Sequence, residues 1–125
     1  SANVPLNHIA KAVILKDHED KKIMAVLPAN NKISLSALND ELLASHHLVK
    51  EQEVYSLFSD CEHGAIPPVG GLYNMRMVCD EMLNDLEWVY IEAGDHKNLL
   101  RISSDDFEIL VANSKHLRFS REVFH

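Results

Sequence analysis

I-A-K-A-V-I-L-K-D-H-E-D-K-K-I-M-A-V-L, residues 9–27, decides the fold class. Residues 9–15 and 22–27 are short, apolar and rich in β-branched side chains, and the charged D-H-E-D-K between them reads as a hairpin connection. Two paired strands near the start of the chain exclude a helical bundle and set the rest of the sequence against a sheet.

Outward from this hairpin, Ser34 offers an N-cap, and Leu35, Leu38, Leu42 and Leu43 follow at helical spacing, predicting an amphipathic helix over 34–44. A second helix is expected over 50–58, burying Val54, Leu57 and Phe58 after a brief apolar step at Leu48 and Val49. Residues 75–78, 88–92 and 99–102 read as three more strands. Ser103 with Asp106 three residues on has the capping-box spacing of a helix to Ala112. Strands and helices alternate irregularly, with a second hairpin near Gly94. The pattern therefore predicts an α+β fold, a mixed β-sheet with surrounding helices, rather than a doubly wound one. No internal repeat, low-complexity stretch or linker interrupts it, so residues 1–125 are expected to form one domain.

Composition bounds the function. A chain of 125 residues, 46% of them hydrophobic, buries roughly two-thirds of its unfolded surface and folds without staples. Cys61 and Cys79 are too few and too far apart for a disulfide scaffold or zinc ribbon, and no apolar run approaches the length of a membrane span. A reducing cytoplasm is the expected home, with no membrane partner. A formal charge of -7 argues against a grip on duplex DNA, because affinity for phosphate backbones comes from Lys and Arg. A short single-stranded end in a local pocket needs only one or two cations. The tail from Lys115 to His125 is mildly basic and reads as solvated.

All four glycines fall in two loops: Gly64, Gly70 and Gly71 in C-E-H-G-A-I-P-P-V-G-G, and Gly94 in E-A-G-D-H-K. Glycine so concentrated marks tight turns or places where backbone approaches a ligand. The stretch from 59 to 74 is long for a mere connection, and its adjacent prolines restrict its shape. Lys11 lies between Ala10 and Ala12 in the first strand, on the face of Ile9 and Val13. It is either an edge-strand lysine that discourages aggregation or a cation held in a cleft for a phosphate or carboxylate. His96, after Gly94 and Asp95, is either an exposed loop histidine or an imidazole that shapes a pocket. Asp60, Cys61, Glu62 and His63 are neighbours, which rarely face one another, and no second cluster supports a metal or a Cys-His nucleophile. His46 and His47, on the way out of a helix, read as surface residues. No nucleophile elbow and no phosphate-binding G-x-x-x-x-G-K-[ST] loop is present.

Taken together, A-K-A-V-I-L-K at 10–16, A-V-L-P at 25–28, D-C-E-H-G-A-I-P-P at 60–68 and E-A-G-D-H at 92–96 resemble the YbaK/prolyl-tRNA editing domain family, in order and spacing over nearly the whole chain. The resemblance implies an α+β fold and hydrolysis of the ester joining a wrong amino acid to the terminal adenosine of a tRNA. The implied substrate is a small residue such as Ala or Cys on the proline acceptor, and the implied partner the aminoacyl-tRNA acceptor end. It implies that Lys11 lies near the terminal adenosine and its phosphate. Gly64 and Pro68, with Ala65, Ile66 and Pro67 between them, would form the loop whose N–H groups hold the aminoacyl carbonyl, and Gly94, Asp95 and His96 would line the aminoacyl pocket. Substrate-assisted attack by water implies no metal or organic cofactor. Many free-standing relatives carry a helix and strand before the lysine strand, whereas about ten residues precede Lys11 here. That leaves a more open pocket, one completed by a partner or fused domain, or a domain of a longer protein. The other reading is a non-catalytic module that keeps the cleft to bind a ligand or partner for regulation.

Overall fold

The computed structural model describes residues 4–60, 68, 75–92, 94 and 98–123. Among them, nine strands and three α-helices follow a 3-10 turn at Leu6–His8: β1 (Ile9–Asp17), β2 (Lys22–Pro28), β3 (Asn31–Ile33), α1 (Leu35–Leu42), β4 (His46–Leu48), α2 (Glu51–Leu57), β5 (Arg76–Asp80), β6 (Trp88–Glu92), β7 (Leu99–Ser103), α3 (Ser104–Leu110), β8 (Lys115–Leu117) and β9 (Ser120–Glu122).

The expected hairpin is the centre of the sheet. β1 and β2 pair antiparallel from Ala10↔Pro28 to Lys16↔Lys22. Their turn is closed by Asp17, whose carboxylate accepts the N–H groups of Glu19 (2.8 Å) and Lys21 (3.0 Å). The sheet order is β7-β6-β1-β2-β5-β8, with β4 also on β1. β1–β6, β2–β5 and β5–β8 are parallel and the other pairs antiparallel, the mixed sheet that the irregular element order predicts. β2 is buried from Ile23 to Pro28 because both of its faces are covered, which explains its unbroken apolar run.

Each face of the sheet carries its own core. Ala10, Ile14, Met24 and Val26 point to one side and pack with Phe58 at the end of α2 and with Phe107 and Val111 around α3. Leu15, Ala25 and Leu27 point to the other and pack beneath Leu38 of α1 and against Phe119. The caps are as expected. The Ser34 hydroxyl accepts the Ala37 N–H at 3.3 Å, and that of Ser103 accepts the Asp106 N–H at 3.2 Å.

Two expectations are corrected. The tail is not solvated: β8 extends the main sheet, β9 pairs with β3, and Phe119 is 1% exposed. Asp80, fully buried, holds it in place by accepting the Ser120 hydroxyl at 2.7 Å and the Phe119 N–H at 3.1 Å. His46 is not a surface residue leaving a helix. It opens β4, is buried, and its Nδ1 meets Asn39 Oδ1 (3.0 Å) and the Ala44 carbonyl (3.1 Å), while His47 is exposed as expected. β1 has β2 along one side, but on the other it pairs with β6 only at Ile9 and Ala10 and with β4 only from Leu15, so among the described residues Lys11 stands where the strand is locally unpaired on one side.

Candidate functional site

Strand alternation puts Lys11, Val13 and Leu15 on the face covered by α1, opposite Leu27, Ala25 and Ile23 of β2. Leu15 is sealed by the core, whereas Lys11 and Val13 line a groove of about 460 Å³ with Leu27, Lys32, Ile33 and Leu48. Apolar side chains dominate this lining, and the two ammonium groups are its charges.

The Lys11 ammonium is half-buried and donates to two main-chain carbonyls, Asn31 at 2.7 Å and Ala29 at 3.4 Å. Among the described residues it forms no ion pair. Burial, and then the neighbouring Lys32, hold its pKa below the ordinary 10.5. Carbonyl dipoles orient the ammonium without neutralising it, so the groove holds a positioned cation with no carboxylate partner among the described residues, the arrangement that an anion with an apolar attachment satisfies.

The acceptor for Lys11 is itself held. Asn31 is 1% exposed, and its side-chain amide donates to the Ser120 hydroxyl at 2.9 Å, which in turn donates to Asp80. A chain of hydrogen bonds therefore runs from a buried carboxylate through β9 and β3 to the site lysine. Sequence reasoning missed Lys32, Asn31 and Ser120. The only signal for Lys32 is a lone cation before an isoleucine, too short a stretch to show alternation.

Of the other expected site residues, Gly94 lies in the β6–β7 turn with φ 94°, a conformation that glycine adopts without steric cost. Ala10 pairs with Ile91 and Leu15 with Leu48, so β6 leaves β1 and β4 joins it on the same side, with Lys11 and Val13 between the two ladders. Gly94 comes two residues after the end of β6, the strand that pairs with β1 at Ile9 and Ala10. Pro68 is buried. Gly64, Ala65, Ile66, Pro67, Asp95 and His96 lie outside the described residues, as does Cys61. Among the described residues no group of three or more His, Cys, Asp or Glu side chains is arranged to hold a metal, and no helix is long and apolar enough to cross a membrane.

Residues 1–110 match the family described as the aminoacyl-tRNA editing domain. No curated protein matches the chain. Among solved structures, a provisionally assigned signal transduction protein from Marinobacter aquaeolei VT8 superposes with a TM-score of 0.86 at 22% identity over 98% of this chain. This chain spans only 27% of that protein's length. A provisionally assigned trans-editing enzyme for prolyl tRNA synthetase gives a TM-score of 0.82 at 17% identity, covering 96% of this chain and 74% of that one. A hypothetical protein gives 0.83 at 22% identity, with 96% and 79% covered. These likenesses bear out the α+β fold, a mixed sheet with helices around it.

Proposed function

The chain belongs to the aminoacyl-tRNA editing domain family, and on that premise we propose that it is a deacylase that hydrolyses the ester between a small amino acid, such as Ala or Cys, and the terminal adenosine of a tRNA. The observation that carries this reading is the ammonium of Lys11, half-buried in an apolar groove, aimed by the Asn31 carbonyl and with no carboxylate partner among the described residues.

In this reading Lys11, assisted by Lys32, holds the phosphate of the terminal nucleotide and fixes the ester relative to the protein. The backbone N–H groups of the loop from Gly64 through Ala65 and Ile66, shaped by Pro67 and Pro68, receive the carbonyl oxygen as it gains charge. Each such donor is typically worth about 10²–10³ in rate. Gly94, Asp95 and His96 border the amino acid side chain. Water adds to the ester carbonyl carbon while a ribose hydroxyl of the substrate takes one of its protons and passes its own to the ribose oxygen of the ester. The tetrahedral intermediate then expels the ribose oxygen, which leaves protonated, with the free amino acid as the other product. An ester near neutral pH needs orientation and oxyanion stabilisation more than a strong nucleophile, which suits a site without a Ser or Cys triad. Editing by a second site compensates for the small discrimination available from one methylene, about 1–3 kcal/mol. The reading needs no metal or organic cofactor, and places the protein in the cytoplasm beside the synthetases.

The test is release of radiolabelled amino acid from a panel of aminoacyl-tRNAs, including alanyl and cysteinyl forms of the proline acceptor. Wild type is expected to hydrolyse at least one, and Lys11→Ala to fall at least about tenfold. A folded wild type that releases nothing across the panel overturns the deacylase reading and leaves a non-catalytic binding module.

A further inference from the structure

The cations of this acidic chain are not spread evenly over its surface. Towards the other end of the β1–β2 hairpin, on the same sheet face as Lys11, lies a cleft of about 500 Å³ whose rim carries Lys21, Lys22, Arg76 and Lys115 over a floor of Ile23 and Val78. Three separate pieces of chain supply these cations: the start of β2 with the residue before it, β5 and β8. The register that brings them together is specific, with Ile23 opposite Arg76 and Val78 opposite Lys115.

The charge at this rim is only partly compensated among the described residues. Lys22 shares Glu53 with Lys16, both at 3.2 Å, but Lys21, Arg76 and Lys115 form no ion pair among the described residues. Asp17, which also lines the cleft, is kept ionised by the N–H groups of Lys21 and Glu19 and offsets one of these charges, so the rim stays cationic on balance. In a chain of formal charge -7, this is a local focus of positive potential. Because Lys21, Arg76 and Lys115 are exposed, the charges face outward over the rim, which suits a backbone laid across the opening better than a small ligand enclosed within it.

We propose that this cleft binds backbone phosphates of the same tRNA whose terminal adenosine occupies the Lys11 groove. The inference rests on the function proposed above and adds to it a second, sequence-independent contact. Leu27 pairs with Lys11 and Ile23 floors the cleft, so the two places are four residues apart along β2, roughly 13 Å at about 3.3 Å per residue. That is short on the scale of an acceptor end, so one RNA molecule reaches both.

The test uses uncharged tRNA, binding measured by fluorescence anisotropy across a sodium chloride series, so that it does not depend on hydrolysis. The double variant Arg76→Ala, Lys115→Ala is expected to bind about tenfold more weakly and to lose about 1.4–1.8 from the slope of log affinity against log salt, at roughly 0.7–0.9 per phosphate contact. The charge-keeping pair Arg76→Lys, Lys115→Arg is expected to retain the wild-type slope. An unchanged slope in the alanine pair overturns the proposal, as does equal loss in the charge-keeping pair, which would indicate structural damage. Saturable binding of inorganic phosphate that the alanine pair abolishes while its tRNA affinity stays at the wild-type value also overturns it, in favour of a small-anion site. A wild type that deacylates while the slope is unaffected removes the cleft and keeps the function. A wild type that releases no amino acid while the slope effect holds does the reverse.

Discussion

The Nζ of Lys11 lies 2.7 Å from the main-chain carbonyl oxygen of Asn31, so the lysine that faces the groove is aimed by a dipole and not neutralised by a carboxylate. Its pKa is held below 10.5 by burial first and Lys32 second. If the protonated form binds phosphate, the pH profile of kcat/KM falls on an alkaline limb set by a pKa below the ordinary lysine value. Lys11→Arg removes that limb, and Lys32→Ala moves it upward. Stability has the opposite slope: a lysine with a lowered pKa penalises the folded state fully below its folded pKa, and the penalty disappears as pH rises past 10.5. A limb unmoved in both variants would assign it to another group.

Ser120→Ala should destabilise the fold by about 1–3 kcal/mol, because it leaves a buried Asp80 oxygen and the Asn31 amide short of a partner. Urea denaturation reads this directly. A loss under about 0.5 kcal/mol would mean that water or a neighbour replaces the hydroxyl.

Leu43 closes α1 with φ 55° and ψ 38°, the left-handed region where a side chain with a Cβ is strained, and it is 90% exposed. Replacing it by glycine is expected to stabilise the protein by about 1 kcal/mol, since the strain relieved is about 1–2 kcal/mol and glycine's greater unfolded-state entropy offsets part of it. A lower denaturation midpoint in Leu43→Gly would show that the leucine side chain contributes more than its exposure indicates.

The Cys79 thiol is fully buried, and burial, with a smaller contribution from Asp80, pushes its pKa up to about 12. Native protein should therefore resist alkylation at this residue at pH 8, while unfolded protein reacts at once. Peptide mapping after a brief iodoacetamide pulse distinguishes the two, and rapid native labelling at Cys79 would contradict the packing described.

Legibility in the sequence followed element length and cap chemistry. The β1–β2 hairpin announces itself through two β-branched runs around a charged turn, and α1 and α3 through Ser34 and Ser103, whose hydroxyls do cap them. β3, β8 and β9 have three residues each, too few for any periodicity, and are fixed by partners distant in sequence such as Asp80, 40 residues from Ser120. The tail consequently read as solvated although it buries Phe119. At the site, Lys11 stood out because it breaks an apolar pattern. The carbonyls that aim it are backbone groups that no side-chain pattern encodes, and the cleft of four cations exists only once β5 lies between β2 and β8.

The pairing of β3 with β9 also orders events in time. The Asn31 side chain and the Ser120 hydroxyl that steadies it are 89 residues apart, so everything between β3 and β9 must be synthesised before that contact can close. The carbonyl that aims Lys11 thus relies on a long-range pairing and not on the hairpin that carries the lysine. A nascent chain that has its central hairpin but not β9 still lacks the hydroxyl that steadies Asn31, so the setting of the ammonium depends on a strand far from it in sequence.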